Sequence, residues 1–304
     1  MPFKLNAYLP SKKKDILIKE LSYKQYRELV KSLYNVDKKE TIQQYNSILL
    51  DLCPDIEQID ITFEDKLYLL LTVRGYCVSP DLKLKGTGPN NNTFNFSVAI
   101  DTITKNVKSI DKSKVFTLNE ITIEYSSYKV RDEHVFIGNN KDTFAVLASY
   151  IDTIKTPDQT VLFKDFSFTE RLNFIESFPQ TIINQLYQDI LEIEKYYESQ
   201  VLLDIKNPIT KESALILTKN INFETLQKII GFIFTEELNN IYRAFFNIVN
   251  YAGFSPEYVD SITPVEMQVY WMYYIEDREK TNKENTTSNN GLNFSSQVNK
   301  ELGF

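Results

Sequence analysis

Catalysis needs reactive side chains at workable spacings, and this chain of 304 residues offers few. It holds one histidine, His134, and two cysteines, Cys53 and Cys77. Together these supply at most three soft metal ligands, whereas a structural zinc takes about four. The cysteines stand beside proline and valine in separate predicted elements, so both read as reduced, buried thiols rather than a disulfide. His134 lies in Arg-Asp-Glu-His-Val-Phe, with no nucleophile-elbow serine and no triad order to serve. Gly86-Thr87-Gly88 runs into proline and lacks the Lys-Ser/Thr that completes a phosphate loop, so it reads as a turn. Paired carboxylates can hydrolyse glycosides. With 41 acidic residues, however, pairs fall everywhere and no spacing singles one out. The inventory points away from catalysis, metals and cofactors and toward an assembly protein.

One run departs from an ordinary solvated helix. Val269-Tyr270-Trp271-Met272-Tyr273-Tyr274-Ile275 places seven apolar or aromatic residues in succession. On an α-helix, at about 100° per residue, such a run points in every direction. One face can pack on its own domain, and the opposite face then needs a second cover. Tyr270, Trp271, Met272, Tyr273 and Tyr274 are therefore the candidate protein interface, since aromatic residues and methionine are enriched where proteins meet. Complete burial in a central helix is the competing explanation. The tyrosines belong near an edge or seam, because a buried hydroxyl needs a partner.

The elements that position this run follow from composition and pattern. At 42% hydrophobic and 25% charged, the chain has the material for a core. Eight glycines are too few for glycine-dependent nucleotide-binding architectures. The net charge of −7 gives no overall basic footprint for nucleic acid. Residues 1–40 nevertheless carry ten Lys/Arg against five Asp/Glu. That end reads either as a docking surface for an acidic partner or phosphates or as a solvated element. No stretch of 18 apolar residues suggests a membrane span. The opening MPFKLNAYLPSKKK also lacks the apolar region of a secretory signal, which places the protein in the cytosol or in something assembled there.

The expected fold is α+β: a mainly helical body with a small antiparallel β insert in the middle and a flexible C-terminal tail. Residues 1–85 form an N-terminal helical part. A short strand is expected at Asp15–Ile18, followed by helices at Tyr23–Tyr34 behind a Ser22/Gln25 capping box, Glu40–Leu52, and Phe63–Val78 capped by Thr62. Lys85–Asn92 reads as a loop. The β-rich insert covers about 86–160, with strands at Thr93–Ile100, Val115–Leu118, Ile121–Tyr125 and His134–Ile137, while Phe144–Ile154 alternates between strand and short helix. Residues 161–280 form a second helical part packing with 1–85. Its signals are Ser167/Glu170, Pro179 in the first turn of a long helix, Asn222 and Thr235 as caps, and Gly253 as a left-handed stop. Thr263-Pro264-Val265-Glu266 starts a helix running to about Lys280. The tail, 281–304, is rich in Asn, Ser and Thr.

Several stretches together show a family resemblance. Glu20-Leu21-Ser22-Tyr23-Lys24-Gln25-Tyr26-Arg27 resembles the opening helix of the base-plate protein family of T-even-like contractile-tailed phages. Lys66-Leu67-Tyr68-Leu69-Leu70-Leu71-Thr72-Val73-Arg74-Gly75-Tyr76, running into Ser79-Pro80-Asp81-Leu82, is similar to the same family. The segment Phe166–Ile193 and the helix Glu266–Tyr274 are similar in style. The likeness covers residues 1–85 well and about 161–277 loosely, with the β insert and tail as additions. It implies a hub component or hub-assembly protein of a tail baseplate, put together in the bacterial cytoplasm. The implied partners are other hub, spike or tail-tube proteins, with a homo-oligomer open, and no catalytic residue carries over.

Overall fold

The fold is seen in a computed structural model that describes residues 4–35, 37–57, 61–87, 92–107, 113–118, 120–136, 142–219 and 223–288. It is α+β, with helices dominating and small antiparallel sheets between them. The chain opens with the hairpin β1 (Lys4–Leu9) and β2 (Lys14–Lys19), in which Ala7 pairs with Ile16 and both face inward. Then come α1 (Tyr23–Ser32), α2 (Lys38–Leu52) and α3 (Phe63–Cys77). A second hairpin, β3 (Asp81–Thr87) and β4 (Thr93–Ala99), leads into α4 (Ile100–Asn106).

The next segment builds a four-stranded antiparallel sheet from β5 (Lys114–Leu118), β6 (Ile121–Tyr125), β7 (Ile151–Lys155) and β8 (Thr160–Leu162). A 3-10 turn (Val130–Phe136) and α5 (Thr143–Tyr150) are inserted between β6 and β7. Phe116, Ile123, Ile154 and Val161 line up across the four strands as one apolar row. Helices α6 (Phe168–Glu176) and α7 (Gln180–Glu198) cover that row. A third hairpin, β9 (Val201–Lys206) and β10 (Ser213–Thr218), precedes α8 (Phe223–Ile233), α9 (Leu238–Tyr251), α10 (Pro256–Ser261) and α11 (Pro264–Ser288).

Helix starts obey local chemistry. The side chains of Ser22, Ser167 and Thr263 accept the N–H of Gln25, Glu170 and Glu266, and each partner reaches back to the cap's own N–H. Thr62 makes the same reciprocal pair with Asp65, which also accepts the N–H and hydroxyl of Ser11 at 2.8 and 2.5 Å. One carboxylate thus caps α3 and ties the β1–β2 turn to it. Gly253 has φ +77°, the left-handed geometry that lets the chain turn sharply after α9.

Some expectations fail where longer-range partners or better local ones win. His134–Ile137 is no strand through Phe136, because that stretch belongs to the 3-10 turn, whose Asp132 and Glu133 are claimed by buried cations. Ile137 lies outside the described residues, as does Asn222. Lys85–Thr87 is strand rather than loop, paired through Thr87 with Thr93. Phe144–Ile154 is helix and then strand, since the β-branched Ile151, Thr153 and Ile154 find partners on β6. Thr235 does not cap α9, which begins at Leu238 after Glu237, while Glu236 is drawn to Arg74 at 2.7 Å. Pro179 stands at the cap of α7, one residue ahead of its first turn. The helix begun by Pro264 runs to Ser288, so residues 281–288 are helical rather than tail. Residues 289–304 lie outside the described set.

Buried apolar side chains sort into two clusters. The first draws on β1 to α4, β9, β10 and α8 to α11. The second draws on β6, α5, β7, α6 and α7. Helix α7 presents Ile183, Leu186, Ile190 and Ile193 to this second cluster, with Ile182 packed at its edge. The β3–β4 hairpin leans on the first core, and α6 and α7 on the second.

Candidate functional site

Helix α11 starts under local control and is then held by three neighbours. Gln268 donates to the Val78 carbonyl at 3.3 Å, just beyond α3. Tyr270 packs against Phe254, with ring centroids 4.9 Å apart. Its hydroxyl lies 3.0 Å from that of Tyr258 on α10, a hydrogen bond that holds the Tyr270 phenol above its ordinary pKa. Tyr274 stacks on Trp271 at 5.3 Å and accepts from Arg278 Nε at 3.1 Å.

The five candidate interface residues separate by exposure. Trp271 is only 5% exposed and belongs to the first core, with Met267 one turn before it. Met272 and Tyr273 stand out at 54% and 62%. Tyr270 and Tyr274 are half-buried at the margin, where a hydroxyl can be both covered and satisfied. The helix thus has a face swallowed by its own chain and a face left open. Tyr23 ties α1 to the same region by donating to the Ile241 carbonyl at 2.9 Å, and burial pushes its phenol well above the usual range.

A second aromatic surface lies on the outer side of the fold. On α9, Tyr242 and Phe246 are exposed one turn apart, and Tyr251 follows with its ring 6.1 Å from that of Phe246. Tyr242 and Tyr34 line one depression of about 510 Å³ with Glu237, Leu238 and Asn239. In the sequence, Ile241, Ala244, Phe245, Ile248 and Val249 recur at helical spacing and mark the inner face of α9, which leaves Tyr242 and Phe246 on the outer one.

Cys53 and Cys77 are free and buried, and burial pushes their thiols up to about 12 and about 11. Cys77 Sγ accepts the Leu21 N–H at 3.2 Å, a packing role that joins α3 to the start of α1. Among the described residues no three His, Cys, Asp or Glu side chains gather as a metal set, and no helix is long and apolar enough to cross a membrane.

A feature that neither composition nor spacing announced is a set of buried charges around α3. Lys66 Nζ lies 2.6 Å from Glu133 and 2.8 Å from Asn46 Oδ1. Glu64 meets Lys219 at 2.6 Å, and that ammonium sits 4.1 Å from the centre of the Tyr197 ring. Arg171 grips Asp132 with two bonds of 2.7 and 2.8 Å and donates to the Ala148 carbonyl at 2.9 Å. These are paired charges in dry surroundings, the arrangement that holds elements in one register.

Fold and surfaces together describe an α+β helical body with ion pairs inside and aromatic side chains outside. The family model described as T4 bacteriophage base plate protein matches residues 2–223. The chain belongs to that family, and it is a structural component of a phage tail baseplate. The matched span runs through the β-rich segment and stops before α9, so the exposed aromatics of α9 and α11 lie beyond it. No curated protein and no solved structure matches the chain significantly.

Proposed function

We propose that the protein is a structural subunit of the baseplate hub of a contractile tail and works by adhesion, without catalysis. It binds other hub, spike or tail-tube proteins through its helical surfaces. The observation that carries this reading is the family match over residues 2–223. On α11 the contact is made by Met272 and Tyr273, with Tyr270 and Tyr274 at its edge. Trp271 supports the helix from within.

Quantitative mass spectrometry of purified particles tests the hub assignment. A fixed copy number in intact tails supports a resident subunit. Absence from finished particles, together with a cytosolic complex during assembly, would identify an assembly factor that departs. A zymogram with the purified chain checks the claim of no catalysis, because clearance of peptidoglycan overturns it.

A further inference from the structure

The four-stranded sheet ends in β8 on one side and β5 on the other, and the two edges are finished differently. Strand β8 is only three residues long and passes at once into the 3-10 turn Phe163–Asp165, which is one way natural sheets blunt an edge. Strand β5 runs five residues in unbroken register with β6, from Lys114 opposite Tyr125 to Leu118 opposite Ile121. It has no proline and no bulge. Its one charge, Lys114, is turned onto α7, where it meets Asp189 at 3.1 Å and also Glu192. None of the usual guards against an incoming strand is left on β5.

The register also tells which backbone groups are spare. A hairpin closed by two residues hydrogen-bonds the pair that flanks them, here Leu118 and Ile121, and bonded pairs then alternate along the strands. Phe116 and Lys114 therefore bond β6, while the N–H and C=O of Val115 and Thr117 point away from it. Among the described residues no backbone partner meets those outward groups. The side chains here are open as well. Val115 is 60% exposed, Leu118 is 41% exposed, and Phe116 is half-buried at the end of the apolar row.

We propose that β5 pairs antiparallel with β5 of a second copy, about a two-fold axis at Phe116, and joins the two sheets into one. In that register Val115 of each chain faces Thr117 of the other, so every spare N–H finds a spare C=O. Lys114 falls opposite Leu118, and no like charges meet across the pair. Phe116 meets its own copy in the closer, non-hydrogen-bonded kind of pair. The row Phe116, Ile123, Ile154 and Val161 thereby continues into the second copy. Backbone groups, charge and apolar row all match at one register, and that self-complementarity commits the edge to a second copy of this chain. Water solvates the spare groups in the single chain, so the drive is the covering of Val115, Phe116 and Leu118. One strand pair is a small interface, and the dimer should form at about 10–100 µM. The pairing does not depend on the hub assignment.

Analytical ultracentrifugation of the full chain, from about 1 to about 500 µM, should show a monomer passing to a dimer. Over the same range, hydrogen exchange at the Val115 and Thr117 amides should slow about tenfold or more, while amides in the middle of α3 keep their rates. Thr117→Pro removes a spare N–H without costing a bond to β6, and should weaken association at least about tenfold. A chain still monomeric at about 500 µM overturns the proposal. So does a dimer in which Val115 and Thr117 exchange as fast as in the monomer, a result that needs no variant. A folded Thr117→Pro chain that dimerises as well as the parent overturns it too.

Discussion

Trp271→Ala separates a core residue from a docking residue. The side chain is 5% exposed, stacked on Tyr274, and packed in the first core. Replacing a buried tryptophan by alanine costs about 3–5 kcal/mol through lost transfer energy and the cavity left behind. Here one correction runs the other way. The indole Nε1 makes no hydrogen bond among the described residues. Removing an unsatisfied buried donor recovers about 1 kcal/mol of desolvation penalty. The expected net loss is about 2–4 kcal/mol. Urea unfolding followed by helical ellipticity reads this as a lowered midpoint with an unchanged slope. Fluorescence would not serve, because Trp271 is the chain's single tryptophan. Tyr273→Ala, at a position 62% exposed, should stay within about 0.5 kcal/mol of the parent. A Trp271→Ala variant that loses less than about 1 kcal/mol, as a surface substitution would, refutes the assignment of this residue to the core. If that same variant also fails to bind its neighbour, the indole is a docking group after all.

Asp65→Ala should cost about 1–3 kcal/mol by urea titration, more than Thr62→Ala, because Asp65 holds both the start of α3 and Ser11 of the first hairpin. Gly253→Ala should cost about 1–2 kcal/mol, a purely backbone penalty at φ +77°, since no atom stands within 4 Å of the added Cβ. Thermal unfolding measures it. The raised thiols of Cys53 and Cys77, at about 12 and about 11 against 9.0, disfavour thiolate in the folded chain. Their contribution to stability is therefore complete below pH 9.0 and lost as the pH rises through 11 to 12. Alkaline unfolding of the double serine variant should begin at higher pH than that of the parent. On the outer face, Phe246→Ser should leave the fold intact within about 0.5 kcal/mol, which circular dichroism and a melting curve will show.

What the sequence determined by itself is what depends on residues a few places apart. Three reciprocal caps, at Ser22, Ser167 and Thr263, needed only a partner three residues on. Gly253 needed only its own freedom at positive φ. The inner faces of α7 and α9 follow from the helical repeat of their apolar residues alone. The family resemblance was likewise carried by short local runs.

Tertiary structure alone decided matters whose partners are far apart in the chain. Helix α3 is buried on nearly every side, so its pattern shows no polar face, and Glu64, Lys66 and Arg74 are interior charges met by Lys219, Glu133 and Glu236. No local rule distinguishes such charges from solvated ones. In α11, seven apolar residues in succession leave periodicity silent about which side faces inward. Packing against α9, α10 and the end of α3 buried Trp271 and left Tyr273 in water, because burial is set by the neighbours that arrive.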